Sequence, residues 1–264
     1  MTSRRFTTSD GVALNVLEAR PASARPGDPV IALVPGWSMP ASIWRSQLES
    51  LGRRYTVVAL DPRGQGESEV PERGYTLERR AADLHEFLQA YPRVVLVGWS
   101  LGALEALEYV RRNGESRLAG LVLVDSSVGE NPRPGKSDFL ERLKRDREAA
   151  LDGFVRAIFR TPPPEDEVRA LVARAQRMPL DASLALLSYP VPREHWRDIA
   201  RGVAVPLLYV VTPQFSAQAA NLKKHRPATQ VVVFERAGHT LFVDEPARFA
   251  AALGDFVDEA WRRR

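Results

Sequence analysis

Residues Val94 to Asn113 read VVLVGWSLGALEALEYVRRN, and the fold turns on how this stretch is read. Val94 to Val97 is an apolar run of strand length. It is interrupted at Gly98-Trp99-Ser100-Leu101-Gly102, after which Leu104, Leu107 and Val110 recur at helical spacing. The pattern predicts a strand, a sharp turn and a helix, with Ser100 on the turn. A turn this tight strains the backbone of its central residue and leaves the neighbours no room for side chains. The two glycines meet that demand, and the hydroxyl is lifted above the sheet edge. The helix behind it directs its N-terminal dipole and N–H groups at negative charge forming beside Ser100.

Gly-x-Ser-x-Gly alone fixes three residues and is compatible with a glycine-rich connection carrying an ordinary serine. The apolar strand before it and the amphipathic helix after it supply the context that separates the two. In that context the segment resembles the nucleophile elbow of the α/β-hydrolase superfamily. The resemblance implies an α/β-hydrolase fold, a mostly parallel sheet flanked by helices. It also implies a triad built on Ser100 and an oxyanion hole to which Leu101 contributes a backbone N–H.

The rest of the chain fits such a sheet. Arg5 to Ala19 reads as a hairpin around Asp10-Gly11, which gives the sheet an antiparallel edge. Val30 to Val34 reads as a strand buried on both faces, ending at Pro35-Gly36-Trp37-Ser38. In the family this loop carries His-Gly-x, whose third residue donates to the oxyanion hole. The resemblance therefore assigns that N–H to Trp37, with Pro35 in place of the histidine and the bracing of the loop left open. Ser42 to Leu51 reads as a helix with Ser42 as N-cap, and Tyr55 to Leu60 as a strand. Asp61 to Ser68 resembles the family's Asp-x-Arg-Gly-His-Gly-x-Ser, with Gln65 for the histidine, and reads as a structural loop of tight turns. Thr76 to Ala90 is an amphipathic helix, and Leu118 to Val124 a further buried strand that ends at Asp125-Ser126-Ser127. Alternation of this kind predicts right-handed crossovers, with ligand sites beyond the C-terminal strand ends.

The alternation stops at Val128. Helical patterns punctuated by prolines run to about Val203, which predicts an all-helical cap, 128–203, inserted in a core made of 1–127 and 204–264. Phe139, Phe154, Phe159, Met178, Tyr189 and Trp196 are its candidate apolar walls above Ser100, with Trp37 and Trp99 near the entrance. Any single one of the six cap residues reads more readily as internal packing of the cap. Strands resume at Pro206 to Val211 and Gln230 to Phe234, with a helix over Ser216 to His225 between them and a closing helix from Pro246.

Acyl transfer by a serine needs a base near neutrality within hydrogen-bond reach, and imidazole is the usual one. His85, His195 and His225 lie in helices and read as solvated or structural. His239 follows the last strand in Ala-Gly-His-Thr, which looks like the family's histidine loop. Most relatives place the acid in the segment that corresponds to Thr212-Pro213-Gln214-Phe215, where this chain has no carboxylate. A subset places it after the strand that follows the elbow helix, and that position is Asp125. Glu130 in the next loop is the runner-up, and a serine–histidine dyad is the third alternative.

Composition excludes several classes. The 264 residues are 44% hydrophobic, enough for one domain with a buried core. There is no cysteine, hence no thiol nucleophile and no disulfide framework. No apolar run is long enough to span a bilayer and the N-terminus lacks an apolar signal core, so the expected address is the cytoplasm without a membrane partner. Lys and Arg number 37 against 33 Asp and Glu, interleaved along helices as on a solvated face, so nucleic acid is not an expected partner. The resemblance implies a cofactor-free and metal-free serine hydrolase of the carboxylesterase type acting on a small-molecule ester. Other chemistries of the fold (thioesterase, lactonase, C–C hydrolase, perhydrolase) and a non-catalytic binding module remain as alternatives. Arg142, Lys144, Arg145 and Arg147 could dock an acyl carrier protein, against the plainer reading of a solvated helix face.

Overall fold

The N-terminal hairpin, β1 (Thr2–Thr7) and β2 (Ala13–Ala19), opens a computed structural model that describes residues 1–135 and 137–263. The hairpin turns at Asp10-Gly11, where Gly11 adopts φ 85°. The other strands are β3 (Val30–Val34), β4 (Thr56–Asp61), β5 (Val94–Trp99), β6 (Leu118–Val124), β7 (Leu207–Val211) and β8 (Gln230–Val233). Among the described residues they form one sheet in the order β1-β2-β4-β3-β5-β6-β7-β8. The pairs β1/β2 and β2/β4 are antiparallel and the others parallel, as the alternating pattern predicts.

Alternation along each strand divides the core. Ile31, Leu33, Val95 and Val97 pack on one face with α1 (Arg45–Leu51) and α11 (Pro246–Arg262). Ala32, Val34, Val94 and Leu96 pack on the other with α2 (Leu77–Leu88), α3 (Leu101–Asn113) and α9 (Pro213–His225). Both faces are therefore covered, which is why the parallel strands read as unbroken apolar runs. Truncating one such strand side chain to Ala costs about 2–5 kcal/mol, against a total stability of about 5–15 kcal/mol. The strand ends beneath the elbow are consequently a firm platform.

Among the described residues five helices lie between β6 and β7: α4 (Phe139–Arg145), α5 (Arg147–Ala157), α6 (Glu165–Ala175), α7 (Leu180–Leu187) and α8 (Arg193–Gly202). The last of them packs on α3, with Trp196 and Ala200 in the same apolar cluster as Leu107. A one-turn helix, α10 (Leu241–Asp244), precedes α11. No helix among the described residues is long and apolar enough to cross a membrane.

Two local expectations fail for identifiable reasons. Ser42 does not cap a helix; a 3₁₀ turn, Ala41–Trp44, begins after Pro40 and runs into α1. Its orphan Ala41 N–H donates to the carboxylate of Asp61, at 2.5 Å, so a remote side chain does what a local hydroxyl usually does. The helix expected from Ser216 starts three residues earlier, because Pro213 sits at its first turn, where its missing N–H costs nothing.

Candidate active site

The register brings the C-terminal strand ends to one edge. Val34 pairs with Gly98, Trp99 with Val124, Val124 with Val210 and Val211 with Val233. The loops carrying Trp37, Ser100, Asp125, Thr212 and His239 all leave from there. Between β3 and β5 the strand order reverses direction, and a crevice opens at such a switch point.

Ser100 sits at φ 53° and ψ −117°, outside the regions a side-chain-bearing residue prefers. Its N–H still donates to Val124 O at 2.9 Å, so the ladder fixes the strained residue in place. The flanking glycines are sterically required. A Cβ on Gly98 would lie 2.3 Å from Gly102 O, and one on Gly102 would lie 2.6 Å from Val34 O. Gly36, in the loop after β3, faces Ser100: a Cβ there would come within 3.1 Å of the Ser100 Cβ.

Asp125 ends β6 at φ 42° with its own N–H donating to Val210 O, and it is almost fully buried. One carboxylate oxygen accepts from His239 Nδ1 at 2.7 Å and the other from the Thr212 N–H at 2.6 Å. The anion is thus held from two sides. The Thr212 to Phe215 segment, which has no carboxylate, supplies a backbone donor instead. Next to it, burial, then the charges of Asp125 and Glu130, pushes the Tyr209 phenol well above its ordinary range; it stays neutral and donates to Ser126 O.

His239 is fixed through backbone and ring. Trp99, the residue before Ser100, donates its indole N–H to His239 O at 2.9 Å and lies 5.2 Å from the imidazole, centroid to centroid. Gly238 N–H donates to Asp244 Oδ2 at 2.8 Å, and Asp244 also accepts from Arg160 N at 3.1 Å. A Cβ on Gly238 would lie 2.7 Å from that same Arg160 N, so the loop and the α5–α6 connection meet backbone to backbone.

The N–H groups of Trp37 and Leu101 have no hydrogen-bond acceptor among the described residues. Both residues line a cavity of about 240 Å³ together with Ser100, Leu104, Ser126, Leu186, Leu187, Tyr189 and Trp196. The Trp37 ring leaves the cavity wall for the helices above it. Its indole N–H donates to Ser183 O of α7 at 2.9 Å, and Phe139 and Phe154 pack edge-on against it at 5.5 and 5.2 Å.

A serine on a strained strand-to-helix turn, at the edge of such a sheet, accords with what comparison of the whole chain finds: the profile of the alpha/beta hydrolase family matches residues 31–252. The chain belongs to that family. Its similarities to individual α/β hydrolases are more distant. It is 27% identical to a pimeloyl-[acyl-carrier protein] methyl ester esterase of Vibrio campbellii, over 87% of this chain and 94% of the relative. It is 29% identical to an N-formylmaleamate deformylase of Pseudomonas putida, over 86% and 88%. A crystal structure of a candidate aryl esterase from Burkholderia cenocepacia superposes with a TM-score of 0.85 at 25% identity, covering 99% of this chain and all of that one. These relatives are esterases and other hydrolases.

Within this α/β hydrolase the other sequence-derived candidates are accounted for. Glu130 is engaged by Arg201 through two bonds of 2.5 and 2.8 Å, whereas the His239 Nδ1 bond goes to Asp125. His195 Nε2 lies 2.9 Å from Glu108 and ties α8 to α3, while His85 contacts Gln89 and His225 contacts Asn221 O. Trp99 is not at an entrance; it is buried beneath His239. Of the six proposed wall residues only Tyr189 and Trp196 line the cavity at Ser100. Phe139 and Phe154 are spent on Trp37, Met178 is buried at Gly64, and Phe159 lines a separate cavity beside α1 and α6. The sequence reading missed Leu186, Leu187 and the Thr212 and Asp244 contacts. Helical periodicity marks Leu186 as apolar without saying what it faces, and nothing local marks a backbone N–H as a carboxylate's partner. Among the described residues no group of three or more His, Asp or Glu is placed to hold a metal ion.

Proposed function

We propose that this protein is a serine hydrolase that cleaves a carboxylic ester through an acyl-enzyme. Ser100 is the nucleophile, His239 the base, Asp125 the acid partner, and the Trp37 and Leu101 N–H groups form the oxyanion hole. The observation that carries the reading is the 2.7 Å bond from His239 Nδ1 to Asp125. A carboxylate there keeps the proton on Nδ1, which leaves Nε2 to take the Ser100 proton and stabilises the imidazolium that results. Ser100 Oγ then attacks the ester carbonyl, and in this reading the oxyanion is taken up by the Trp37 and Leu101 N–H groups beside the N-terminus of α3. Collapse of the tetrahedral intermediate expels the alkoxide, which takes the proton from His239 Nε2. Water, deprotonated by the same nitrogen, releases the acid in a second round.

The helices of 128–203 act as a cap in this reading and define the substrate. The cavity is small and lined by Trp37, Leu104, Leu186, Leu187 and Trp196, with Ser126 and Tyr189 as the polar exceptions. A short or aryl, uncharged acyl group matches that lining. A carrier-borne ester, the substrate named for the Vibrio relatives, finds less support in the basic row of the first cap helices. Arg142 pairs with Asp138 and Lys144 with Glu141, and Asp146 and Glu148 stand in the same row as Arg145 and Arg147, so opposite charges offset one another along it and leave little net charge to attract an acidic carrier.

The test is labelling with a fluorophosphonate, followed by p-nitrophenyl acetate turnover in Ser100→Ala. Labelling of Ser100 in the native protein, and a loss of several orders of magnitude in kcat with unchanged folding, is the expected result. Retention of turnover in Ser100→Ala would sink the proposal.

A further inference from the structure

Gln65 stands where the resemblance implies a histidine, and it is buried on the loop after β4. Its side-chain Nε2 donates twice, to Gly36 O at 3.0 Å and to Met39 O at 2.9 Å. Those carbonyls bracket the turn that contains Trp37, which the Met39 N–H closes by donating to Gly36 O at 3.2 Å. The Gln65 Oε1 accepts from Arg80 Nη2 at 3.2 Å. Arg80 is itself buried, donates from Nη1 to Arg63 O at 3.1 Å, and is ion-paired with Glu105 of α3 at 2.8 Å. The direction of the amide follows from donor and acceptor chemistry. A guanidinium only donates and a backbone carbonyl only accepts, so Oε1 must face Arg80 and the NH₂ must face the loop.

The bond to Gly36 O has a geometric consequence. The carbonyl of Gly36 and the N–H of Trp37 belong to one peptide unit, planar and trans, in which the two groups point in opposite directions. A donor that grips the carbonyl from one side therefore sets the direction of the N–H on the other. It also polarises the peptide, which strengthens the N–H as a donor. The plane borders the nucleophile, since Gly36 lies against the Ser100 Cβ.

We propose that Gln65 is a positioning residue for the oxyanion hole: held by Arg80, its amide fixes the Gly36–Trp37 peptide plane and aims the Trp37 N–H at the developing oxyanion. This rests on the role given to Trp37 above, and it answers how the loop is braced without a histidine at position 35. The brace acts through a backbone donor and touches no substrate atom. Its loss should be felt in the transition state far more than in substrate binding.

The experiment compares Gln65→Leu, Gln65→Glu and Gln65→His with wild type and Ser100→Ala. The readouts are kcat and KM for p-nitrophenyl acetate, the inhibition constant of a short alkyl trifluoromethyl ketone, and Tm. The ketone adds Ser100 Oγ and places an oxyanion in the hole. Gln65→Leu should lower kcat on the order of 10²-fold while KM moves by less than about threefold, and should weaken the ketone by a similar factor. Gln65→His, which restores an N–H, should recover kcat to within about tenfold of wild type. Gln65→Glu sets a carboxylate against two carbonyls and regains a donor only on protonation, so its rate relative to wild type should rise as pH falls. Wild-type kcat and ketone affinity in Gln65→Leu, with Ser100→Ala inactive, overturns the positioning role and leaves the Ser100 reading standing. If Gln65→Leu does not fold, a pH-independent ratio in Gln65→Glu overturns it equally. Turnover retained in Ser100→Ala removes the underlying reading and the proposal with it.

Discussion

Replacing Asp125 by Asn tests the proposed triad most sharply, because the structure decides which way the amide must turn. The native carboxylate accepts two hydrogen bonds, from His239 Nδ1 and from the Thr212 N–H. An amide has one acceptor and one donor end. The Thr212 N–H is a fixed donor, so the Asn oxygen must face it and the NH₂ must face His239. Imidazole adapts by moving its proton to Nε2, where it can no longer accept one from Ser100. The penalty known for this wrong-tautomer substitution in a serine protease is about 10⁴ in kcat, and a range of about 10³ to 10⁴ corresponds to roughly 4–5.5 kcal/mol of lost transition-state stabilisation. The effect on stability should be much smaller, about 1 kcal/mol, since a charge-assisted bond to Thr212 becomes a neutral one at constant volume. The assay is kcat for p-nitrophenyl acetate beside thermal unfolding. A kcat within tenfold of wild type, with Tm preserved, would refute the reasoning, for it would mean that His239 does not need its Nδ1 proton held.

Glu130→Gln should leave kcat within about twofold and cost about 1–2 kcal/mol of stability, since it weakens the paired bonds from Arg201 without touching His239; a loss of kcat exceeding that of Asp125→Asn would reverse the assignment. Burial works to raise the Glu108 pKa, but hydrogen bonds from Arg111, Arg112 and His195 outweigh it and lower the group from 4.5 to about 2. A depressed folded-state pKa gives stability that is present above 4.5 and lost as pH falls toward 2, so Tm measured across that window should drop less in Glu108→Gln than in wild type. Equal slopes in the two proteins would show that the pairing contributes nothing.

What the sequence by itself determined is local. The β5–α3 elbow, the Asp10-Gly11 hairpin, strand β6 from Leu118 to Val124 and the start of α11 at Pro246 were legible, because periodicity and turn chemistry act over a few residues. The absence of a carboxylate in 212–215 is equally plain in the sequence, and Asp125 is the carboxylate that ends the strand after the elbow helix. The contacts that assemble the proposed site join residues far apart in the chain. Asp125 meets His239 across 114 positions and Thr212 across 87, while Gln65 meets Gly36 across 29. Strand order and register decide those meetings, and no local pattern encodes a carboxylate accepting from a particular backbone N–H. The same holds for the helices between β6 and β7. An apolar face announces that a helix will be buried, but only packing decided that Phe139 and Phe154 would close on Trp37 while Leu186 and Leu187 came to line the cavity at Ser100. The hydrophobic effect is non-directional; it selects which side chains leave water, and shape complementarity in three dimensions selects their neighbours.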